Sequence, residues 1–384
     1  MTSLEFVFWF SILMLVYIYL GYPCLVYLIS QWFGRPVYKQ DIEPSVSVVI
    51  SAHNEQETIK ATVENKLAQD YPPDKLDILV VSDGSTDDTD QQIKDLCKRY
   101  PGRIKLLRQA RAGKTSALNM VFNEVHSEII VFSDANSIYS ENAIRLLVSH
   151  FADPAVGYVT GSMVYVNKEE SATAEGCSSY MRYENFLRGV ETGVGSIVGV
   201  DGGIDAIRKE LFSPMQADQL PDLVLPLKVV SQGYRVVYEP SAILREPALE
   251  HGDDEYRMRV RVSLRALWAL WDMRHLFNVF GYGLFSVQLL SHKLLRYTAF
   301  LFLFGAAASN LILATDSTLY QFTLVAQAGF YALAIRGLGK SRAGERSRIG
   351  YMPYYFMLLN LASAQAFGKF VARKKQVIWK PRTG

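Results

Sequence analysis

Three stretches decide the fold: SVSVVISAHNE (45–55), LDILVVSDGSTDDT (76–89) and EIIVFSDANS (128–137). Each opens as a run of β-branched and apolar residues and ends in polar residues. SVSVVIS (45–51), LDILVVSD (76–83) and EIIVFSD (128–134) read as buried strands. RIKLLRQ (103–109) reads as a further strand, third in chain order. Between them, Gln56 to Gln69, Asp87 to Tyr100 and Thr115 to Val125 read as helices. Strand–helix alternation at this spacing predicts an α/β fold, a mostly parallel sheet with helices on both faces. Such sheets bind ligands beyond the carboxyl ends of their strands. The polar residues closing each run are therefore the candidate site.

Outward from this core the character changes. Phe6 to Phe33 carries no charged residue, and a helix needs about 20 apolar residues to cross a bilayer. Trp9 and Trp32 stand near its ends, as interfacial anchors do. No basic residue precedes the run, so it reads as a retained span rather than a cleaved signal. Arg35 and Lys39 follow it, which predicts a cytoplasmic location for the next domain. EYRMRVRVSLRALWALWDMRHLF (255–277) mixes Arg with Leu and Trp, as a helix at a membrane surface does. Leu294 to Ala314 and Leu319 to Ile335 read as two further spans, joined by TDST (315–318). Tyr351 to Phe367 precedes Lys369, Arg373, Lys374 and Lys375, and reads as re-entrant or interfacial.

Composition excludes some classes. Apolar residues make up 49% and charged residues 20%, near the soluble average, so distribution rather than totals marks the membrane segments. A net charge of +2 gives no reason to expect a nucleic-acid partner. Cys24, Cys97 and Cys177 are far apart and suit neither a disulfide frame nor a zinc site.

The strand tips supply the chemistry. AHNE (52–55) ends the first strand, with Asn54 and Glu55 beside the crevice. Asp83 ends the second, where a carboxylate can receive a base or ribose, or simply build a turn. Asp134 and Asn136 follow the fourth, two oxygen donors at i and i+2 that suit one hard divalent cation, or a plain Asx turn. In RAGKTSALN (111–119), Arg108 stands where a phosphate-binding loop needs its first Gly, so that motif fails. Lys114 remains as a lone lysine at a helix start, suited to a phosphate or a nucleobase carbonyl, or simply solvated. SIVGVDGGIDAIRKELF (196–212) offers Asp201 with Gly202 and Gly203. These read either as acceptor contacts or as a strand-to-helix turn. His251 reads as a structural histidine or a further metal ligand.

Together these motifs resemble the membrane enzymes of glycosyltransferase family 2, which have a GT-A, Rossmann-like fold. The resemblance runs from about Ser45 to Arg265. It places Asp83 at the family's first Asp, Asp134 with Asn136 at its DxD-like pair, and Asp222 in LPDLVLPLKVVSQGYRVVYEP (220–240) at its acidic base. It implies inverting transfer from a UDP-sugar to a lipid-linked or saccharide acceptor, with Mg²⁺ or Mn²⁺ at Asp134 and Asn136. It puts Asn54, Glu55, Asp83, Lys114, Asp134 and Arg261 around the nucleotide-sugar, Asp201 and Gly202 toward the acceptor, and Asp222 as catalytic base. The expected layout is a transmembrane helix at 1–40, a cytoplasmic GT-A domain at 41–250, interfacial helices at 251–292 and a membrane region at 293–384. That is a multi-pass protein of the inner membrane, in contact with membrane lipid and with polysaccharide export proteins as candidate partners. Three departures stand out: Asn136 replaces the second Asp, Pro221 precedes Asp222, and the QxxRW signature is absent, with Met258, Arg261 and Val262 at its positions. A processive polymer synthase and a non-catalytic sugar-nucleotide-binding subunit are the alternative readings.

Overall fold

The computed structural model describes residues 2–166, 172–246, 252–343, 345 and 349–376. By their internal contacts these form two units. One comprises the described residues of 30–164 and 185–246 together with Gln376, the other those of 1–29, 165–184 and 247–375.

The first unit is built on an eight-stranded sheet: β1 (Val46–Ala52), β2 (Leu76–Asp83), β3 (Ile104–Gln109), β4 (Ile129–Asp134), β5 (Ile138–Tyr139), β6 (Val156–Tyr165), β7 (Ile204–Arg208) and β8 (Arg235–Glu246). Its order is β3-β2-β1-β4-β7-β6-β8-β5. β1 pairs in parallel with β2 and β4, and β2 with β3. These four strands are the ones the apolar runs predict. They are continuous hydrophobic stretches because parallel strands are covered on both faces. β7 runs antiparallel to β4 and β6, and β5 antiparallel to β8, so the sheet is mixed on its far side. Val48, Ile50, Ile78, Val80 and Val131 are fully buried at its centre with Ile59, Val63 and Ile93 from the covering helices. The strand order reverses between β1 and β4, which opens a crevice at their carboxyl ends. Asn54 and Asp134 stand there.

The second unit is helical. Ser3–Phe33 and Thr318–Arg342 are long and apolar enough to cross a membrane. Little of either helix is buried, so most of their apolar side chains face outward, as lipid-facing helices do. The first helix widens to a π turn at Tyr17–Gly21. Pro23 lacks the N–H that would bond the Tyr19 carbonyl, and the Tyr183 hydroxyl donates to that carbonyl instead, at 3.2 Å. Leu294 to Ala314, read as one span, is not straight. Leu284–Tyr297 and Ala299–Leu313 meet at 56°. The break falls at Thr298, whose hydroxyl bonds back to the Leu294 carbonyl at 3.0 Å. If the bent pair is one span, three segments can cross. Tyr351–Val371 is a 21-residue helix but is not among those apolar enough. The basic stretch forms the helix Gly252–Asp272. Its apolar stripe of Val260, Leu264 and Leu267 packs on Ala362 and Ala366, so that stripe makes a helix–helix contact.

Candidate active site

The crevice is held by bonds between the β1 and β2 tips. Asn54 adopts a positive φ of 53° and its side chain accepts from the Thr86 amide at 2.8 Å. The Glu55 amide donates to the Thr89 hydroxyl at 2.8 Å, and the Glu55 carboxylate accepts from Thr58 at 3.0 Å. These bonds occupy Asn54 to Thr58, so the helix starts at Ile59 rather than at Gln56.

Asp83 is buried, and four donors from its own chain meet its carboxylate. Gln109 and the Ala112 amide donate to Oδ1 at 2.8 and 2.7 Å; Arg111 and the Gly113 amide donate to Oδ2 at 2.7 and 2.9 Å. Burial alone would raise its pKa, but these bonds and the Arg111 charge hold it below the usual value. Asp83 therefore ties the turn at 109–113 and so places the next helix. Gly113 takes φ +94°, a conformation that side-chain-bearing residues rarely adopt, and Lys114 follows as the first helical residue.

Lys114 is the hub. Its Nζ lies 2.8 Å from Asp134 Oδ1, 3.1 Å from the Gly202 carbonyl and 3.5 Å from Asp222 Oδ1. Burial would lower the lysine pKa, but the Asp134 and Asp222 carboxylates outweigh it and hold the group charged. Asp134 and Asp222 keep 37% and 30% of their side-chain surface exposed, so the cluster is open to a ligand. Asp222 enters from the first turn of Pro221–Ser231, where Pro at the helix start costs no hydrogen bond. It lies directly against Gly202, which has φ +82°. A Cβ on Gly202 would fall 2.2 Å from the Asp222 carboxyl carbon. Glycine at 202 is thus what lets the carboxylate approach.

The floor of the cluster is polar and buried. Lys66 donates to the Ser137 carbonyl at 2.6 Å, and Ser137 donates to Glu246 at 2.7 Å, which fixes the turn carrying Asp134 and half-buried Asn136. Tyr139 donates to the Gly203 carbonyl at 2.7 Å, tying that turn to the glycine pair.

The structure brings Lys114, Asp134, Gly202 and Asp222 together. Asp201 is held differently: its carboxylate pairs with Arg188 at 2.7 Å, both side chains nearly fully buried. Arg261 lies half-buried on Gly252–Asp272, in the helical unit. His251 lies outside the described residues.

Asp205 is the acid that sequence reading missed. It sits inside β7 between Ile204 and Ala206, buried, with no hydrogen-bond partner for Oδ1. Burial, with Asp222 and Asp201 nearby, raises its pKa to about 8, against a bond from Thr160 and the Lys114 charge. The only sequence signal is an acid within an apolar strand. Because the folded pKa exceeds the unfolded value of about 3.9, the native state binds the extra proton. This contribution to stability is complete below pH ~4 and is lost as pH rises toward 8. Asp205→Asn should flatten that decline, with a larger gain in Tm at pH 9 than at pH 6. An equal shift at both values would contradict a protonated Asp205.

Residues 47–213 match the family described as "Glycosyl transferase family 2". "Probable glycosyltransferase YdaM" of Bacillus subtilis (strain 168) is 26% identical over 319 residues, 78% of this chain and 73% of the relative. "Beta-monoglucosyldiacylglycerol synthase" of Nostoc sp. is 29% identical over 185 residues, 46% of this chain and 39% of the relative. A "Poly-beta-1,6-N-acetyl-D-glucosamine synthase" of Staphylococcus aureus (strain COL) is 25% identical over 248 residues, 61% of this chain and 60% of the relative. This chain thus spans less than two thirds of the last two. Among solved structures, "Mannosyltransferase PcManGT from Pyrobaculum calidifontis in complex with GDP-Man and Mn2+" superposes with a TM-score of 0.71 at 23% identity, over 97% of this chain and 99% of that one. That likeness shows the fold, with helices as well as sheet. The chain is thus similar to family 2 glycosyltransferases over residues 47–213, has a GT-A-like sheet, and carries two helices long and apolar enough to cross a membrane.

Proposed function

We propose that the chain transfers one sugar, with inversion, from a UDP-sugar to a lipid-linked or saccharide acceptor at the cytoplasmic face of the inner membrane, in polysaccharide or exopolysaccharide assembly. The observation that carries this reading is the Lys114–Asp134–Asp222 cluster against Gly202, at the switch point of the sheet. The nucleoside lies along the tips of β1 and β2, near Asn54, Glu55 and the turn that Asp83 holds. Lys114, at a helix start, faces the diphosphate. Asp222 takes the proton of the acceptor hydroxyl. The Gly202 backbone borders the acceptor, with Asp201 anchoring that segment through Arg188.

The donor set fits Mg²⁺ or Mn²⁺. The Asp134 and Asp222 carboxylates already converge on one cation, the Lys114 ammonium, and offer only oxygen. Asp134 and Asn136 would hold the metal. No cluster of three His, Cys, Asp or Glu suited to a metal occurs among the described residues; diphosphate oxygens would have to supply the rest of the shell. When bound, such a cation offsets the charge on the departing nucleotide. Chelation should abolish turnover, and Asn136→Asp should keep or tighten metal binding. Full activity in excess chelator would refute the metal role.

Arg35 and Lys39 after the first apolar run support a cytoplasmic 41–250 domain, in a multi-pass arrangement. A processive synthase would instead release long polymers; the absence of QxxRW favours single transfer.

A further inference from the structure

Asp205 lies beneath the Lys114–Asp134–Asp222 cluster and takes no part in the steps assigned to those residues. It is buried inside β7, between the fully buried Ile204 and Ala206. The sheet sets Phe132 of β4 on one side of it and Thr160 of β6 on the other. Its Oδ1 has no hydrogen-bond partner among the described residues. The ionisable groups around it come from several elements. Lys114 and Asp222 act on it from the first turns of their helices, and Asp201 from the segment before β7, already paired with Arg188. Tyr158 of β6 and Tyr139 of β5, both buried, adjoin it as well. From the end of β4, Asp134 is bonded to Lys114. Asp205 thus shares the field of one ammonium with Asp134 and Asp222.

A buried carboxyl with an unmatched oxygen is far costlier ionised than neutral, so it keeps its proton. Burial and the nearby carboxylates accordingly raise its pKa to about 8, against the Thr160 bond and the Lys114 charge. With Asp205 neutral, two carboxylates share Lys114; with Asp205 ionised, three do. We propose that Asp205 is a positioning residue for sugar transfer: as a neutral carboxyl it leaves the Lys114 ammonium to Asp134, Asp222 and the incoming diphosphate. An ionised Asp205 draws that ammonium inward and sets a further negative charge against an anionic ligand. Nucleotide binding and protonation of Asp205 therefore favour each other. Such coupling is reciprocal, so a nucleotide that binds near the pKa of this acid must take up a proton with it. The inference rests on the reading of the cluster as the nucleotide-sugar site. A merely structural Asp205 would make stability depend on pH and leave the affinity of the folded protein unaffected.

The test measures UDP binding by the purified full chain at saturating Mg²⁺, from pH 7 to pH 9. Calorimetry in buffers of different ionisation enthalpy reads affinity and proton uptake together, and thermal unfolding at each pH reports the folded fraction. The unsubstituted protein should bind UDP about five- to tenfold more weakly at pH 9 than at pH 7. It should take up protons on binding, most strongly between about pH 8 and 9. Asp205→Asn replaces the carboxyl with a group of the same shape that does not ionise. Whatever its affinity at pH 7, the ratio between the two pH values should fall to about one, and the proton uptake should vanish. Asp205→Thr, also without an ionisable group, takes its place if Asp205→Asn does not fold. Flat binding without proton uptake in the unsubstituted protein overturns the inference, as does a pH dependence that persists in the folded variant. Failure of the folded, unsubstituted protein to bind UDP at any pH refutes the nucleotide reading and the positioning role together; UDP binding with unaltered pH dependence in Asp205→Asn refutes the role alone.

Discussion

Asp222→Asn should leave nucleotide-sugar binding nearly intact and lower turnover about 10²–10⁴-fold, the usual cost of removing a general base. The carboxylate projects from the first turn of Pro221–Ser231, where the helix dipole favours negative charge. Lys114 lies 3.5 Å away and Gly202 clears the space beside it. A carboxylate there can accept the acceptor's proton; an amide of the same shape cannot. The competing view gives Asp222 only a role in starting its helix. It predicts a loss of stability of about 1 kcal/mol, with turnover per folded molecule preserved. Titrating nucleotide binding alongside turnover separates the two outcomes. Normal turnover by folded Asp222→Asn would remove this residue from the mechanism.

Lys114→Met should have the next largest effect. The lysine is the shared cation of Asp134 and Asp222 and also holds the Gly202 carbonyl. Without it two carboxylates face one another, and the diphosphate loses a positive partner as charge builds on the leaving group. Loss of one such preorganised donor typically costs about 10²–10³-fold in turnover. We expect that loss here, with weaker donor binding, a steeper requirement for divalent cation, and partial rescue by Lys114→Arg. Undiminished turnover in Lys114→Met would show that the cluster's charge balance does not serve catalysis.

The parallel half of the sheet was legible because buried parallel strands are unbroken apolar runs. LDILVVSD matches β2 residue for residue, and the other three runs begin one residue early. The antiparallel strands were not legible. β7 has only five residues with an acid inside it, and β8 contains Pro240. Motif order along the chain pointed to Lys114, Asp134 and Asp222, which the fold then gathers around one ammonium. What no linear pattern reveals is which way a strand-tip carboxylate turns. Asp83 and Asp201 have the same appearance as Asp134 in sequence, yet backbone amides and Arg111 bind the first, and Arg188 the second. Asp205 and Lys66 escaped notice for a related reason. Their importance comes from burial beneath the site rather than from any motif. The bend at Thr298 was hidden too, because a threonine in an apolar run leaves hydropathy unbroken while its hydroxyl competes for the helix carbonyls.

The most direct test of the central claim is nucleotide release by the purified full chain, with a panel of nucleotide-sugars and membrane lipid as acceptor, and products read by mass spectrometry. The account predicts divalent-cation-dependent release of UDP from one UDP-sugar, a product heavier by one sugar, and loss of both in Asp222→Asn. Nucleotide-sugar binding without release or glycosylated product, under conditions that keep the protein folded, would contradict it.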